Sequence, residues 1–488
     1  MRSATLSRRH GAPVANATIA SADVTYPGYW PGAFGIVVMM MALVGIRVHE
    51  FFPFVKPFKP VFTLTIASII ILMQRSTPAI RKALARQSIS RLVYLYFAFM
   101  LITIPFAMWQ AKAFEMAQGY FPAILLFAAF SFCPPTRQTL DRLQFAFVGL
   151  VLFFAAYLQV FNRGTRARLV SVSGTFDSND VAAILAMGAP LAIGILIRAN
   201  DRRERIGAAL AVFALAMGAV TASSRGGIIA LLAGLAVFVL GLRGGKRFGV
   251  LFALILVGTL FWTTAPDRFR GRVRSITNLE NDYNTTDYTG RKAIWRRARI
   301  YIRENPVWGV GAGCFFVAEG GFNAATGMTG KWSATHNAYL QALSELGIPG
   351  GSVFILMLLT AAGLGLRMWG PAPRQRGPPK HPELYRPEYL ASLAAFCSSA
   401  YFLSHAYFTP VMVVIGLIAL SERVRMAERE GGFVPVVNAG APQPVPIVGE
   451  RGGLAGQRPH HAPAPVYGRL AVPGNGLPDS TMFRARTP

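Results

Sequence analysis

The sequence predicts an all-α, polytopic integral membrane bundle of about twelve transmembrane helices with a long extramembrane loop. Three observations predict it. Only 15% of the residues are charged and 53% are apolar, whereas soluble domains carry about 25% charged residues. Uncharged stretches near 20 residues recur along the chain, and a helix of that length crosses hydrocarbon about 30 Å thick. Lys and Arg fall unevenly on alternate loops, as the positive-inside rule requires of a multi-span protein.

The uncharged stretches lie at about 31–46, 60–74, 92–109, 120–133, 144–161, 181–197, 206–222, 226–242, 248–264, 350–366, 389–408 and 410–421. With the N-terminus inside, the N-terminal arm and the short inner loops together hold 22 Lys and Arg and the outer loops 8, which predicts that both termini are cytoplasmic. The net charge of +27 then reflects topology and not a nucleic-acid surface. The expected organisation is a cytoplasmic N-terminal arm, 1–30; a first bundle part of about nine helices, 31–264; a long periplasmic loop with amphipathic helices, 265–349; a second bundle part of about three helices, 350–425; and a cytoplasmic Pro/Gly-rich tail, 426–488, with too few large apolar residues to fold. Cys133, Cys314 and Cys397 imply no disulfide framework. Residues 1–30 are polar, with Arg2, Arg8 and Arg9, and do not read as a cleavable signal peptide.

The outer loop carries 11 Lys and Arg, so its charge asks for a functional explanation. Two helices are expected in it. In TGRKAIWRRARIYIREN, 289–305, a 3.6-residue period puts Lys292, Arg296, Arg299 and Arg303 on one side. Ile294, Trp295, Ala298 and Ile302 share the other side, and Arg291 falls with them as the one inward guanidinium, at the helix N-terminus. In KWSATHNAYLQALSELGIPGG, 331–351, Tyr339, Ala342, Leu343 and Leu346 mark an apolar face. Thr335 is the expected N-cap, His336 stands in the first turn, and Gly347 and Pro349 end the helix.

The positive end of that helix disfavours imidazolium, so His336 suits a general base, although a histidine that merely caps or packs has the same position. Arg225, in TASSRGGIIA at 221–230, lies among small residues that let an anionic headgroup come close; a snorkelling arginine is the alternative. Arg163, Arg166 and Arg168, on the same outer side, either join an anion site or are solvated loop charges. Glu280 with Asp282, and His49 with Glu50, lack further ligands, so no metal site is expected. No zinc site, P-loop or dinucleotide fingerprint appears, and no cofactor is expected.

Four motifs occur in order: S-R-G-G at 224–227, G-R-x-x-x-W at 290–295, E-N-P-x-W-G-x-G-x-G at 304–313, and H-N-x-Y-L-x-x-L-x-E-x-G-I-x-G at 336–350. With S-G-T-F-D-S-N-D-x-A at 173–182, they resemble the bacterial O-antigen ligase and polymerase family over about 165–425. The resemblance implies a GT-C-like, metal-independent, inverting glycosyltransferase of the inner membrane, active on the periplasmic side. It implies a donor glycan on undecaprenyl diphosphate and an acceptor glycolipid or glycan, lipid A-core first among them. It also implies His336 as catalytic base, Arg225 and Arg291 on the diphosphate, and Arg168, Asn179 and Asn337 as supporting residues. Polymerases of O-antigen or exopolysaccharide and protein O-oligosaccharyltransferases share these motifs. A transporter or flippase is the rival from another class, but such proteins place ionisable residues at mid-membrane, whereas here they gather at the edges. Oligomeric state is not legible.

Overall fold

Each of the twelve uncharged stretches contains a helix. The computed structural model describes residues 29–161, 176–222, 224–265, 267–274, 290–327, 332–369 and 384–429. All lie within the first of two compact units, Met1–Val437; the second, Asn438–Pro488, lies outside the described residues, as do Arg163, Arg166, Arg168, Glu280, Asp282 and most of the linker after Trp369. Among the described residues the structure is helical, with no strand.

Among the described residues, seven helices are long and apolar enough to cross a membrane: Phe54–Arg75, Ser88–Phe106, Gln110–Phe130, Arg137–Tyr157, Ser178–Arg198, Lys246–Thr264 and Ala338–Leu366. Fewer qualify than the twelve expected, and length explains part of the difference. Arg225–Gly241 has 17 residues and Pro387–Ala400 has 14, or about 25 and 21 Å of helix against about 30 Å of hydrocarbon. The stretch expected as a span over 389–408 stops being helical at Ala400, and a loop follows.

The helices Ser178–Arg198, Arg225–Gly241 and Pro387–Ala400 form the centre of the bundle. Glycines bring their backbones close: Gly227 packs on Ala182, Gly234 on Ala395 and the Ala391 carbonyl, and Gly241 on Pro387. Without a strong hydrophobic drive in lipid, such small-residue contacts supply the van der Waals packing between helices. They also fix direction. The starts of Ser178–Arg198 and Arg225–Gly241 lie together, where Ser224 Oγ bonds Asn179 Oδ1 at 2.8 Å. Their far ends meet the start of Pro387–Ala400, through Gly194 against Glu388 and Gly241 against Pro387.

That far end is held by polar contacts. Gln144, fully buried, donates to the Leu191 carbonyl at 2.9 Å and accepts from Tyr389 at 2.9 Å and Arg198 at 3.1 Å. Arg198 also pairs with Glu388, and Arg386 pairs with Asp141 at 2.8 Å. Buried polar groups must be satisfied where water is scarce, so this network ties Arg137–Phe161 to the two central helices beside it. Lys246–Thr264 is the opposite case: none of its residues is fully buried, and apart from Val250, Leu254 and Phe261, which rest on the bundle, its surface is left for lipid.

Among the described residues between Thr264 and Ala338 the chain forms Asp267–Arg274, Arg291–Glu304 and Phe315–Thr326, one helix with the expected amphipathic pattern and two more that the apolar periodicity did not reveal. On Arg291–Glu304, Ile294 and Ala298 face inward as expected, Trp295 and Ile302 are only partly buried, and Tyr301 is buried without having been expected there. Arg297 is buried as well, which corrects the expectation that Arg291 is the one inward guanidinium. Its Nε and Nη2 donate to the two oxygens of the fully buried Glu319 at 2.8 and 2.6 Å, and Tyr301 donates to the same carboxylate at 3.0 Å. A bidentate pair with a third donor satisfies both charges and fastens Arg291–Glu304 to Phe315–Thr326.

Candidate functional site

The segment from Asn305 to Cys314 shows why this sequence needs its glycines. The helix that begins at Ala338 breaks at Gly347 (φ 72°, ψ 177°), where a stop was expected, but it resumes through Pro349 and continues to Leu366. Its carbonyls at Ser344 and Glu345 accept from the N–H groups of Val310 at 2.8 Å and Gly311 at 2.9 Å. Gly309, Gly311 and Gly313 all have positive φ. A Cβ on Gly347 would overlap the Val307 carbonyl oxygen. The buried carboxylate of Glu345 accepts from Gly313 N at 2.7 Å and Phe315 N at 3.3 Å, at the start of the next helix. The glycine-rich segment thus wraps one helix end and starts another.

At the other end of Ala338–Leu366 the cap differs from expectation. Asn337, 4% exposed, is the N-cap, and its Oδ1 accepts from Tyr339 N at 3.0 Å and Leu340 N at 2.9 Å. Thr335 does not cap: its hydroxyl is buried with no hydrogen-bond partner among the described residues. His336 is therefore not in the first turn. It precedes the cap in a left-handed conformation (φ 49°), which histidine tolerates better than most residues but which its surroundings must hold. Its N–H donates to Ser404 Oγ at 2.8 Å.

The two arginines share a position. Arg225 is the first residue of Arg225–Gly241, after the N-cap Ser224, whose hydroxyl accepts from Gly227 N at 3.2 Å. Arg291 is the first residue of Arg291–Glu304, after Gly290, which gives the helix no side-chain cap. Both are partly buried. Each guanidinium is thus attached where unpaired N–H groups and the helix dipole already favour negative charge.

The loop that follows Ala400, where the sequence suggested more membrane span, collects these segments. Tyr401 stacks edge-on against Trp295 at 5.3 Å, one turn into the helix that Arg291 begins. Trp295 Nε1 donates to the Thr335 carbonyl at 3.1 Å, next to His336. Phe402 stands where a Cβ on Gly226 would come within 3.4 Å. Ser404 holds the His336 N–H, and His405 Nε2 bonds Asp180 Oδ1 at 2.8 Å. Asp180 closes the capping box of Ser178–Arg198 with Asp177, and Asn179 beside it bonds Ser224. The starts of four helices, at Ser178, Arg225, Arg291 and Ala338, therefore gather on residues 401–405. Arg225, Arg291, His336, Asn337 and Asn179 share this neighbourhood; Arg168 lies outside the described residues.

His405 is a second histidine here, 3% exposed and stacked on Phe408 at 3.9 Å. Its signal in the sequence was a polar ring inside an otherwise uncharged stretch. Among the described residues, no group of three or more His, Cys, Asp or Glu side chains is placed to hold a metal ion. The arrangement offers a concentration of positive electrostatic potential next to an imidazole, chemistry suited to holding an anion while a neighbouring proton moves.

Comparison with known proteins bears on this end of the bundle. No curated protein matches the chain. Residues 210–355 match the family model described as O-antigen ligase, a narrower stretch than the 165–425 over which the motifs suggested a likeness. The match contains Arg225, Arg291, His336 and Asn337, while Asn179 and the loop 401–405 lie outside it. The match supports the family resemblance read from the motifs: over residues 210–355 the chain is similar to the O-antigen ligase family.

Proposed function

We propose that the chain is a glycosyltransferase of the O-antigen ligase type that moves a glycan from undecaprenyl diphosphate to an acceptor sugar hydroxyl, with lipid A-core the first acceptor to test. The carrying observation is the gathering of four helix starts, two of them led by Arg225 and Arg291, beside His336. Cleaving the bond between sugar and phosphate leaves an additional negative charge on the departing diphosphate. Preorganised guanidinium groups and helix N-termini stabilise that charge without rearranging during the reaction.

In this reading Arg225 and Arg291 grip the diphosphate, and arginine suits the task because its planar fork donates two hydrogen bonds at once. His336 takes the proton of the acceptor hydroxyl as that oxygen forms its bond to the anomeric carbon. The bond from that carbon to the phosphate oxygen breaks, and its electron pair leaves with the diphosphate. Attack opposite the leaving group inverts the anomeric centre. Asn337 starts the helix behind His336, and Asn179 orders the start of the Arg225 helix through Ser224; no metal or cofactor takes part. The charge bias of the loops supports a periplasmic site in the inner membrane with both termini cytoplasmic.

The test incubates purified protein with polyprenyl-diphosphate-linked glycan and a panel of acceptors: lipid A-core, a second lipid-linked glycan, and a protein. His336→Asn is the control, because asparagine accepts the left-handed backbone but is a poor proton acceptor. Transfer by the parent chain and loss of transfer by the folded variant is the expected result. A His336→Asn enzyme with full turnover removes the histidine from its role, and transfer only to a second lipid-linked glycan or to the protein replaces ligase by polymerase or protein glycosylase.

A further inference from the structure

A cleft of about 260 Å³ opens at the far end of the central helices, lined among others by Arg198, Arg243, Lys246, Tyr385, Glu388 and Phe238. Ser178–Arg198 has 21 residues, so the cleft lies about 30 Å along the bundle from the candidate site, at the opposite membrane surface. We infer that this cleft binds the headgroup of an anionic glycerophospholipid, with a phosphate among the cations and a headgroup hydroxyl on Glu388.

The charge is favourable: three cations and one carboxylate line the cleft, leaving two positive charges against the single negative charge of a phosphodiester. Two of the cations are held in place. Arg198 pairs with Glu388 and bonds Gln144 at 3.1 Å. Arg243 donates to the Trp369 carbonyl and lies 4.6 Å over the ring of Tyr385. Lys246 is exposed at the mouth. Glu388, although fully buried, has one oxygen on Arg198 and a second with no hydrogen-bond partner among the described residues. A buried acceptor without a donor is costly, and the glycerol hydroxyl of a phosphatidylglycerol supplies one.

The remaining wall is apolar, with Phe238 at its base, and Lys246 begins the helix Lys246–Thr264, which has no buried residue. Acyl chains running along that helix would continue directly from a headgroup in the cleft. A free phosphate satisfies the cations but makes no use of the apolar wall or of the lipid-facing helix. Basic pockets between helices at a membrane surface suit anionic headgroups for these same reasons.

The test titrates the detergent-solubilised full chain with short-chain phosphatidylglycerol, short-chain phosphatidylcholine or inorganic phosphate, following thermal unfolding and lipids retained in native mass spectrometry. Phosphatidylglycerol is expected to raise the unfolding temperature and remain bound; phosphatidylcholine and phosphate are expected to do neither. Lys246→Gln, at an exposed position that should not affect folding, is expected to weaken phosphatidylglycerol binding about fivefold, and Arg243→Gln with Lys246→Gln to abolish its selective effect. Equal shifts with both lipids, or undiminished binding to a folded double variant, overturn the inference. A full shift with phosphate alone overturns the lipid and leaves a free-anion site.

Discussion

The backbone N–H of His336 donates to the hydroxyl of Ser404 at 2.8 Å, joining a residue in a left-handed conformation to a loop between two helices. A hydrogen bond of this kind contributes about 0.5–1.5 kcal/mol. Ser404→Ala should therefore lower the rate of glycan transfer about fivefold while leaving the unfolding temperature almost unchanged, as measured by turnover and thermal denaturation of the purified variant. Unaltered turnover would mean that the left-handed turn is held by other contacts.

His405 and Asp180 fasten the same loop to the start of Ser178–Arg198. His405→Phe keeps an aromatic ring to stack on Phe408 but loses the bond to Asp180, and hydrogen bonds to charged groups are worth about 1.5–3 kcal/mol. Turnover should fall roughly ten- to a hundredfold, and His405→Gln, with an amide that can donate to Asp180, should recover most of it. If His405→Gln is as impaired as His405→Phe, the ring itself has a role that the bond does not explain.

For Arg291 the informative change keeps the charge. Arg291→Lys replaces a two-pronged donor by a single compact ammonium, and loss of one preorganised donor to a developing anion costs about a hundredfold in turnover. Steady-state kinetics with the lipid-linked donor measure this, and normal kinetics in the lysine variant would exclude a bidentate contact.

The pair formed by Arg297 and Glu319 makes a stability prediction away from the chemistry. Glu319→Ala leaves a guanidinium buried without its carboxylate, and breaking such a pair from one side costs about 3–5 kcal/mol. Arg291–Glu304 and Phe315–Thr326 should then separate, seen as faster amide exchange in both helices. Unchanged exchange would show that the apolar contacts around Ile294 and Phe315 suffice.

Cys314 gives a prediction in pH. Burial, the main cause, pushes its thiol up to about 11 from an ordinary 9.0, so at pH 8 about one molecule in a thousand carries the reactive thiolate. Peptide-resolved alkylation should be slow at pH 8 in the folded chain, accelerate about tenfold per pH unit up to pH 10, and become fast on denaturation. The folded chain holds this proton more tightly than the unfolded one. Its stabilising contribution is therefore complete below pH 9.0 and erodes as pH rises through about 11.

Helix positions were legible because lipid demands long uncharged runs, and a helix occurs in all twelve. The loop at 401–408 was not, because YFLSHAYFTP carries no Lys, Arg, Asp or Glu and reads as more of the same run. Arg297 was missed for a related reason: the apolar pattern of one helix cannot announce a carboxylate on another, and Glu319 sits in a segment with no clear period. Arg225, Arg291 and His336 could each be singled out by residue type and position. Their meeting depends on tertiary contacts through Tyr401, Phe402 and Ser404 that local sequence does not encode.

One consequence of that loop concerns chimeras. Its residues come after position 355, where the family match ends. A hybrid that transplants only 210–355 into a foreign set of spans would inherit both arginines and the histidine yet leave behind Ser404, Tyr401 and the partners of Asp180. Such a graft would carry the side chains of the proposed site without the loop that clasps them, so the exchangeable module reaches at least to Phe408.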